Sequence, residues 1–183
     1  MSLAERFPAL SKAIDNEGNV SWYRFGKLHR DDGPAVERKN GDRVWYCNGR
    51  LHREGGPAVE NADGTQKWYA DGKLHRDGGP SITGADGCEE WHQHGELHRE
   101  NGPAITHAGG TAIWFQHGKR HREDGPAIEH PDGRGNEYWL EGERVTGGEV
   151  WQRMEDAYKN GTERLISVQK PLTLSPKTQF SWV

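Results

Sequence analysis

Five His-Arg pairs recur along the chain, and their side chains are the ones whose type and spacing could do chemistry. The pairs keep a constant interval of 23 residues. An evenly spaced row of guanidinium groups could hold an extended polyanion or the acidic face of a protein, because guanidinium binds carboxylate and phosphate through paired hydrogen bonds. The arginines, which are the candidate anion-binding residues, are Arg30, Arg53, Arg76, Arg99 and Arg122.

Acidic residues follow the arginine in every pair and favour a structural interpretation. They are Asp31 and Asp32, Glu54, Asp77, Glu100, and Glu123 and Asp124. Each arginine is expected to pair with such an acid, and the histidine before it to hydrogen-bond the loop backbone. A catalytic site needs one asymmetric constellation, so identical recurrence predicts no catalytic residues and no enzyme. The sequence also contains no Ser nucleophile elbow, phosphate loop or zinc-protease motif.

A histidine-rich stretch in the middle of the chain raises the question of a metal site. Its histidines are His92, His94, His98, His117 and His121. Equivalent residues of adjacent units should lie about 9–10 Å apart, two strand spacings, whereas zinc ligands lie about 2.0–2.1 Å from one ion. No carboxylate is placed to complete a site, and Cys47 and Cys88 occupy different positions of the repeat. No metal and no cofactor are expected.

The His-Arg pairs belong to a longer repeat, which is the dominant signal in the sequence. The tryptophans Trp22, Trp45, Trp68, Trp91 and Trp114 keep the same interval, and a Gly-Pro pair follows each His-Arg pair. We number the units 1 to 5 from the glycine four residues before each tryptophan: Gly18, Gly41, Gly64, Gly87 and Gly110. A partial sixth unit, shifted by one inserted residue near Gly135, has Tyr138 at the Trp position and Trp139 after it.

Turn signals in each unit predict β-hairpins. Asn-Gly and Asp-Gly separate short apolar runs, and the glycines and proline of each unit argue against helix. Two strands per unit give eleven or twelve strands. We therefore predict an all-β protein, an elongated antiparallel β-meander over residues 18–145, with an N-terminal cap or half-unit at 1–17 and a C-terminal helix and tail at 146–183.

The C-terminal region carries a helix signature. Thr146 and Glu149 match a capping box, which predicts a helix at 147–159 that packs over the last hairpin and closes a sheet edge. Four large residues fall on one helical face: Val150, Trp151, Met154 and Tyr158. Phe180 and Trp182 in the tail are expected to dock on this molecule or on a partner.

The two faces of the sheet differ in composition. A two-residue Asp-Gly turn would pair tryptophan with the aliphatic position of each unit, which is Val36, Val59, Ile82, Ile105 or Ile128. A three-residue turn would shift the pairing by one residue and place alanine opposite tryptophan. We prefer the first alternative, in which tryptophan and the aliphatic positions form the core. The other face carries the candidate partner-binding residues, because aromatic surfaces suit protein recognition. The alternative is that their rings only cover the second face of a thin sheet. The candidate residues are Tyr23, Tyr46, Tyr69, His92 and Phe115.

Composition narrows the class of partner. The net charge is −4, which argues against a nucleic-acid partner without ruling it out. No apolar run is long enough for a membrane span, no signal-peptide pattern is present, and two unpaired cysteines suit a reducing compartment. A cytoplasmic protein is expected.

The repeat resembles that of MORN-type proteins. A MORN unit is also about 23 residues long and has characteristic residues at fixed positions. The residues at those positions in unit 2 and at the start of unit 3 are Trp45, Asn48, Gly49, Arg50, His52, Gly56 and Gly64. Arginine follows the histidine where MORN units usually have glycine, and Gly-Pro-Ala replaces Gly-x-Gly. This variant is similar to repeat proteins common in bacteriophages, large DNA viruses and some bacteria, and it covers about residues 18–145.

The resemblance implies a non-enzymatic, protein-binding array. Its expected role is that of a phage- or virus-encoded protein that masks the surface of a host protein or complex in the host cytoplasm, for example in a bacterial defence system. The alternative is a polyanion binder that takes phosphoinositide, nucleotide or nucleic acid through the row of arginines.

Overall fold

The structure, a computed structural model, describes residues 10–133 and 135–159 of the 183-residue chain. The predicted tail with Phe180 and Trp182 lies outside these residues. The elements are, in chain order, β1 (Ser11–Ile14), β2 (Val20–Arg24), β3 (Lys27–Leu28), β4 (Val36–Glu37), β5 (Arg43–Val44), β6 (Tyr46–Cys47), β7 (Arg50–Leu51), β8 (Val59–Glu60), β9 (Gln66–Lys67), β10 (Tyr69–Ala70), β11 (Lys73–Leu74), β12 (Ile82–Thr83), β13 (Glu89–Glu90), β14 (His92–Gln93), β15 (Glu96–Leu97), β16 (Ile105–Thr106), β17 (Ala112–Ile113), β18 (Phe115–Gln116), β19 (Lys119–Arg120), β20 (Ile128–Glu129), β21 (Tyr138–Leu140), β22 (Glu143–Val145) and α1 (Gly147–Lys159).

One twelve-stranded antiparallel sheet runs through the array. Its strand order is β1-β2-β4-β5-β8-β9-β12-β13-β16-β17-β20, with β3 added on β2. Neighbouring strands in this order are also neighbours along the chain within the sheet, so each unit contacts mainly the units before and after it. The predicted all-β meander of eleven or twelve strands with a C-terminal helix is confirmed.

A second row of hairpins runs beside the main sheet. The pairs β6–β7, β10–β11, β14–β15, β18–β19 and β21–β22 each form a two-stranded sheet. The chain passes from one row to the other at the tryptophan: β5 ends at Val44, β6 begins at Tyr46, and Trp45 lies between them. The sequence predicted a single strand here, because alternation of residue types does not show where a strand leaves the sheet.

Backbone bonds join consecutive hairpins of the second row. The N–H of Gly49 donates to the C=O of Leu28 at 2.8 Å, and equivalent bonds link the later units. Asn48 and Gly49 have φ of 50° and 81°, the left-handed values that a two-residue hairpin turn requires. His94 and His117 adopt the same conformation, with φ of 52° and 48°, although such values are disfavoured for residues other than glycine.

The turn that joins strands of the main sheet has three residues, and it fixes the register. The N–H of Arg38 donates to the C=O of Asp42 at 2.9 Å, and the N–H of Gly41 donates to the C=O of Arg38 at 2.9 Å. Gly41 supplies the left-handed third residue, with φ of 99°. The preferred two-residue turn is therefore wrong, because Asp-Gly or Asn-Gly ends a three-residue loop here.

The register places a small residue, alanine or in one unit serine, opposite each tryptophan instead of valine or isoleucine. The N–H of Trp22 donates to the C=O of Ala35 at 2.8 Å. This position is fully buried in all five units, at Ala35, Ala58, Ser81, Ala104 and Ala127, whereas the five tryptophans are half-buried. The predicted core of tryptophan and aliphatic residues is thus corrected: a small residue packs between tryptophan strands, and an indole on a single sheet keeps one side near solvent.

The C-terminal helix begins as predicted. The N–H of Thr146 donates to Glu149 Oε2 at 2.6 Å, and the N–H of Glu149 donates to Thr146 Oγ1 at 3.2 Å, which is the reciprocal pair of a capping box. Val150 is 1% exposed, but Trp151 is 50% and Tyr158 is 89% exposed. Adjacent helical residues are about 100° apart around the axis, so the predicted face is only partly covered. Among the described residues, no helix is long and apolar enough to cross a membrane.

Candidate functional site

Each repeat arginine lies flat against the tryptophan of its own unit. The guanidinium carbon is 3.8 Å from the ring centroid for Arg53 over Trp45 and for Arg99 over Trp91, and 3.9 Å for Arg76 over Trp68. The corresponding distances in units 1 and 5 are 4.7 and 4.0 Å. These are cation–π contacts, and they cover the indole that the sheet leaves exposed.

The Gly-Pro pair holds the same arginine from a second side. In every unit Nη1 donates to the carbonyl of the proline, at 3.1 Å in units 2 to 5 and 3.3 Å in unit 1. A Cβ on the preceding glycine would lie too close to the guanidinium, at 2.8 Å in the case of Gly79 and Arg76. The H-R-x-x-G-P motif therefore encodes a seat for one guanidinium group.

The repeat histidines join consecutive units. Nδ1 of His29 accepts the N–H of Asn48 at 3.0 Å, and Nδ1 of His52 accepts that of Asp71 at 3.2 Å; the next three histidines bond the following hairpin turn in the same way. The predicted bond from histidine to loop backbone is confirmed, but the loop belongs to the next unit. Because Nδ1 accepts, the proton of the neutral ring is on Nε2.

Carboxylates neutralise the arginine in units 1, 2 and 5. A glutamate seven residues after the arginine accepts from Nη1: Glu37 at 2.7 Å, Glu60 at 2.6 Å and Glu129 at 2.6 Å. Asp32 and Asp124 also accept from Nε, as predicted, and the bond to Asp32 raises the pKa of Arg30.

Other predicted acids pair elsewhere. Asp31 bonds Arg24 and His29, and the hydrogen bond from Arg24 lowers the pKa of Asp31. Asp77 and Glu123 lie beside the histidine of their own unit, at 3.4 and 3.7 Å. Glu54 is not the partner of Arg53, whose ion pair is with Glu60. The sequence prediction compared only acids next to the arginine and missed the glutamate, which the hairpin brings back from seven residues away.

Units 3 and 4 lack this neutralisation. Thr83 and Thr106 occupy the glutamate position. Among residues 10–133 and 135–159, no carboxylate lies within 4.0 Å of the guanidinium nitrogens of Arg76 or Arg99. Among the described residues, Arg76 and Arg99 are thus the two of the five predicted anion-binding arginines without a carboxylate partner, and anion binding by the row stays a prediction.

These two arginines line one groove. The groove has a volume of about 370 Å³ and is lined also by Trp91, His92 and Gln93. A neighbouring groove of about 390 Å³ contains Arg99 and Arg122, but Arg122 keeps its own carboxylates there. The structure thus brings together His92, from the predicted partner-binding residues, and Arg76 and Arg99, from the predicted anion-binding residues. We call this the unit 3–4 groove.

The remaining predicted partner-binding residues lie outside the unit 3–4 groove, Tyr23 on β2 of the main sheet and the others in the second row of hairpins. Tyr23, Tyr46 and Tyr69 stand opposite a leucine of their own hairpin, and Phe115 stands opposite Arg120. All four are half-buried. Burial, and to a smaller extent the neighbouring Tyr46, raises the pKa of Tyr69. Their role in binding stays a prediction.

His92, which lines the groove, is held from behind by the buried Ser81. Ser81 replaces the alanine of other units and His92 replaces the aromatic residue; Ser81 Oγ is 2.8 Å from His92 Nδ1 and donates to the C=O of Glu90 at 3.1 Å. His92 Nε2 is 3.7 Å from Glu90 Oε2. Ser81 is 0% exposed, so its hydroxyl has no access to a substrate, and the pair fixes the imidazole instead. Burial lowers the pKa of His92.

Four other histidines of this region form two ring pairs, one stacked (His75 and His94) and one tilted by 44° (His98 and His117). His75 and His94 have ring centroids 4.7 Å apart, and those of His98 and His117 are 4.5 Å apart. Within the described residues, no group of three or more His, Cys, Asp or Glu is arranged to hold a metal ion. The described residues define an antiparallel β-hairpin repeat protein. Neither a protein-family model nor a curated protein matches the chain.

Proposed function

We propose that the chain is a non-enzymatic, MORN-like repeat protein that binds another protein through the unit 3–4 groove. The observation that carries the proposal is that this groove is lined by Arg76 and Arg99, the two repeat arginines whose glutamate is replaced by threonine. Four positions change only here: Ser81, Thr83, His92 and Thr106. Ser81 and His92 bond each other across units 3 and 4, whereas Thr83 and Thr106 remove the glutamate that pairs with the repeat arginine in the other units.

The chemistry of the groove suits a protein partner. Arginine and tryptophan are the residues enriched at binding hot spots, and here Arg99 lies on Trp91 at the groove wall. Gln93 and Asn101 add hydrogen-bonding groups at the rim. Because the guanidinium groups are already held in place, a partner would lose little affinity to ordering them.

The resemblance of the repeat to phage and viral proteins extends the proposal. In the extended proposal, the chain is encoded by a phage or virus and covers the surface of a host protein in the host cytoplasm. A component of a bacterial defence complex is the proposed target. This extension depends on the H-R-x-x-G-P-A variant of the repeat alone, and the groove chemistry does not depend on it.

The polyanion alternative is weakened by the ion pairs of the array. A polymer that tracks along the sheet needs a regular row of charges, and three of the five arginines already hold their own glutamate. Arg76 and Arg99 remain as a two-charge site. Binding that falls steeply with salt and needs all five units would favour this alternative.

Photo-crosslinking tests the proposed function. A photoreactive residue at exposed Gln93 should capture a defined protein from the producing cells, whereas the same residue at exposed Lys39 should not. Arg76→Gln/Arg99→Gln should abolish the product. The control Lys27→Gln/Arg50→Gln removes the same charge from exposed positions and should leave the product intact. Identical products from Gln93 and Lys39, or none from either, would contradict the proposal.

A further inference from the structure

Three units of the array show what the seated arginine binds. In units 1, 2 and 5 one carboxylate oxygen of the glutamate accepts from Nη1 at 2.6–2.7 Å. The guanidinium that offers this bond is stacked on tryptophan and anchored to the proline carbonyl. Each of these units is therefore a small carboxylate receptor that is filled by its own side chain.

The receptor of units 3 and 4 is intact except for the carboxylate. Arg76 and Arg99 stack on their tryptophans at 3.9 and 3.8 Å, and each donates to its proline carbonyl at 3.1 Å. Thr83 and Thr106 stand at the glutamate position and supply no carboxylate. We propose that Arg76 and Arg99 form a paired receptor for two carboxylates of an acidic segment of the partner protein. This proposal rests on the proposed protein-binding function.

The spacing of the two receptors restricts the acidic segment. Equivalent positions of adjacent units are two strand spacings apart, about 9–10 Å. Acidic residues seven positions apart on a helix are about 10.5 Å apart along its axis and lie on nearly the same face. A helix with two such acids therefore matches both receptors at once.

Acidic side chains around the receptor select a partner with few charges. Glu89 stands opposite both Thr83 and Thr106 in the sheet, Glu100 lines the groove, and Asp77 lies 3.4 Å from His75. These groups oppose the approach of a dense polyanion, whereas two single carboxylates can still make short charge-assisted bonds. The surroundings thus favour an acidic protein segment over polyphosphate or nucleic acid.

The test uses nuclear magnetic resonance titration with defined probes. One helical peptide carries two glutamates seven residues apart, its counterpart carries glutamines, and the third probe is tripolyphosphate. The glutamate peptide should shift the Nε–H signals of Arg76 and Arg99 and leave that of Arg53 unchanged in the same sample. The glutamine peptide should bind at least about tenfold more weakly, the effect of a lost charge-assisted bond.

Threonine-to-glutamate variants supply the decisive comparison. Thr83→Glu/Thr106→Glu should fold, since it restores the repeat pattern. It should lower the affinity for the glutamate peptide at least about tenfold, because its own carboxylates fill the receptors. Glu89→Gln should strengthen binding a few-fold. If the double variant does not fold, Arg76→Lys/Arg99→Lys replaces it, because lysine keeps the charge and lacks the planar fork.

Three outcomes would overturn the receptor. They are equal binding of the two peptides, unchanged binding to the variant, and preference for tripolyphosphate. Crosslinking from Gln93 that persists in Thr83→Glu/Thr106→Glu would also overturn it while leaving the protein-binding function standing. If the wild-type protein gives no crosslinked product but still binds the glutamate peptide, the receptor stands and the proposed protein-binding function is overturned.

Discussion

Units 2 and 3 seat their arginine in the same way and differ in how the charge is used. Arg53 and Arg76 stack on tryptophan at 3.8 and 3.9 Å and both reach a proline carbonyl at 3.1 Å. Arg53 then bonds Glu60, whereas Arg76 has Thr83 at that place. The seat is therefore a structural device of every unit, and the missing carboxylate is a local change that leaves the Arg76 charge without an ion pair among the described residues. What recurs defines the fold, and what departs from the repeat points to the site.

Loss of the tryptophan should produce the largest effect and should not distinguish the two units strongly. Trp45→Ala and Trp68→Ala remove a half-buried indole together with the platform of the arginine. We expect each to lower the free energy of unfolding by about 2–4 kcal/mol, somewhat less than for a fully buried aromatic residue. Urea denaturation measures it. A loss below about 1 kcal/mol in both variants would show that the seat does not support the fold.

Loss of the arginine should separate the units. Arg53→Ala removes the 2.6 Å ion pair of Glu60, whose side chain is 27% exposed, and leaves it only the longer 3.8 Å contact with Arg43; it should cost about 1–2 kcal/mol. Arg76→Ala removes only the stacking and the bond to the proline carbonyl, and should cost about 0.5–1 kcal/mol. Equal losses, measured by the same urea titration, would mean that Glu60 adds nothing and that units 2 and 3 are alike.

Restoring the repeat at the groove wall should change the pH dependence of stability. Burial lowers the pKa of His92, while Glu90 opposes that shift, so the folded state favours the neutral ring. The unfolded chain titrates near pH 6.5; stability is therefore complete above that value and falls as the pH drops toward the lower folded pKa. Ser81→Ala/His92→Tyr removes this contribution. Melting temperatures at pH 7.5 and pH 5.5 should differ less in the variant; an unchanged difference would assign the pH dependence to other groups.

The sequence was sufficient to predict the parts of the fold that depend on local chemistry. The interval of the tryptophans predicted the strand number of the main sheet, and Thr146 with Glu149 predicted the start of the helix. The register was not predictable from Asp-Gly, since that dipeptide occupies both two-residue and three-residue loops. The second row of hairpins was missed because the strand break at Trp45 belongs to the seat of Arg53, which is a contact between distant parts of the unit.

The same limit applies to the candidate site. The arginine row was identified from its spacing, but the sequence prediction assigned its partners among adjacent acids. The change from Glu60 to Thr83 was visible in the sequence, and only the hairpin geometry showed that this position faces the arginine. Ser81 was overlooked because a serine among alanines is a small difference until the imidazole of His92 is placed beside it.

The smallest expected effect is the most specific test of the comparison, because it exchanges a single position between the two units. Thr83→Glu should stabilise unit 3 and Glu60→Thr should destabilise unit 2, each by about 0.3–1 kcal/mol, the usual range for partly exposed ion pairs. Binding should change in the reverse sense. Glu60→Thr removes the glutamate partner of Arg53. Arg53 and Arg76 then have the same spacing as Arg76 and Arg99, so this variant should gain a second paired receptor. Titration with the two-glutamate peptide should then shift the Arg53 Nε–H signal. If the Arg53 Nε–H signal does not shift in a folded Glu60→Thr variant, an arginine without its glutamate is not sufficient for binding, and the Ser81–His92 pair is also required.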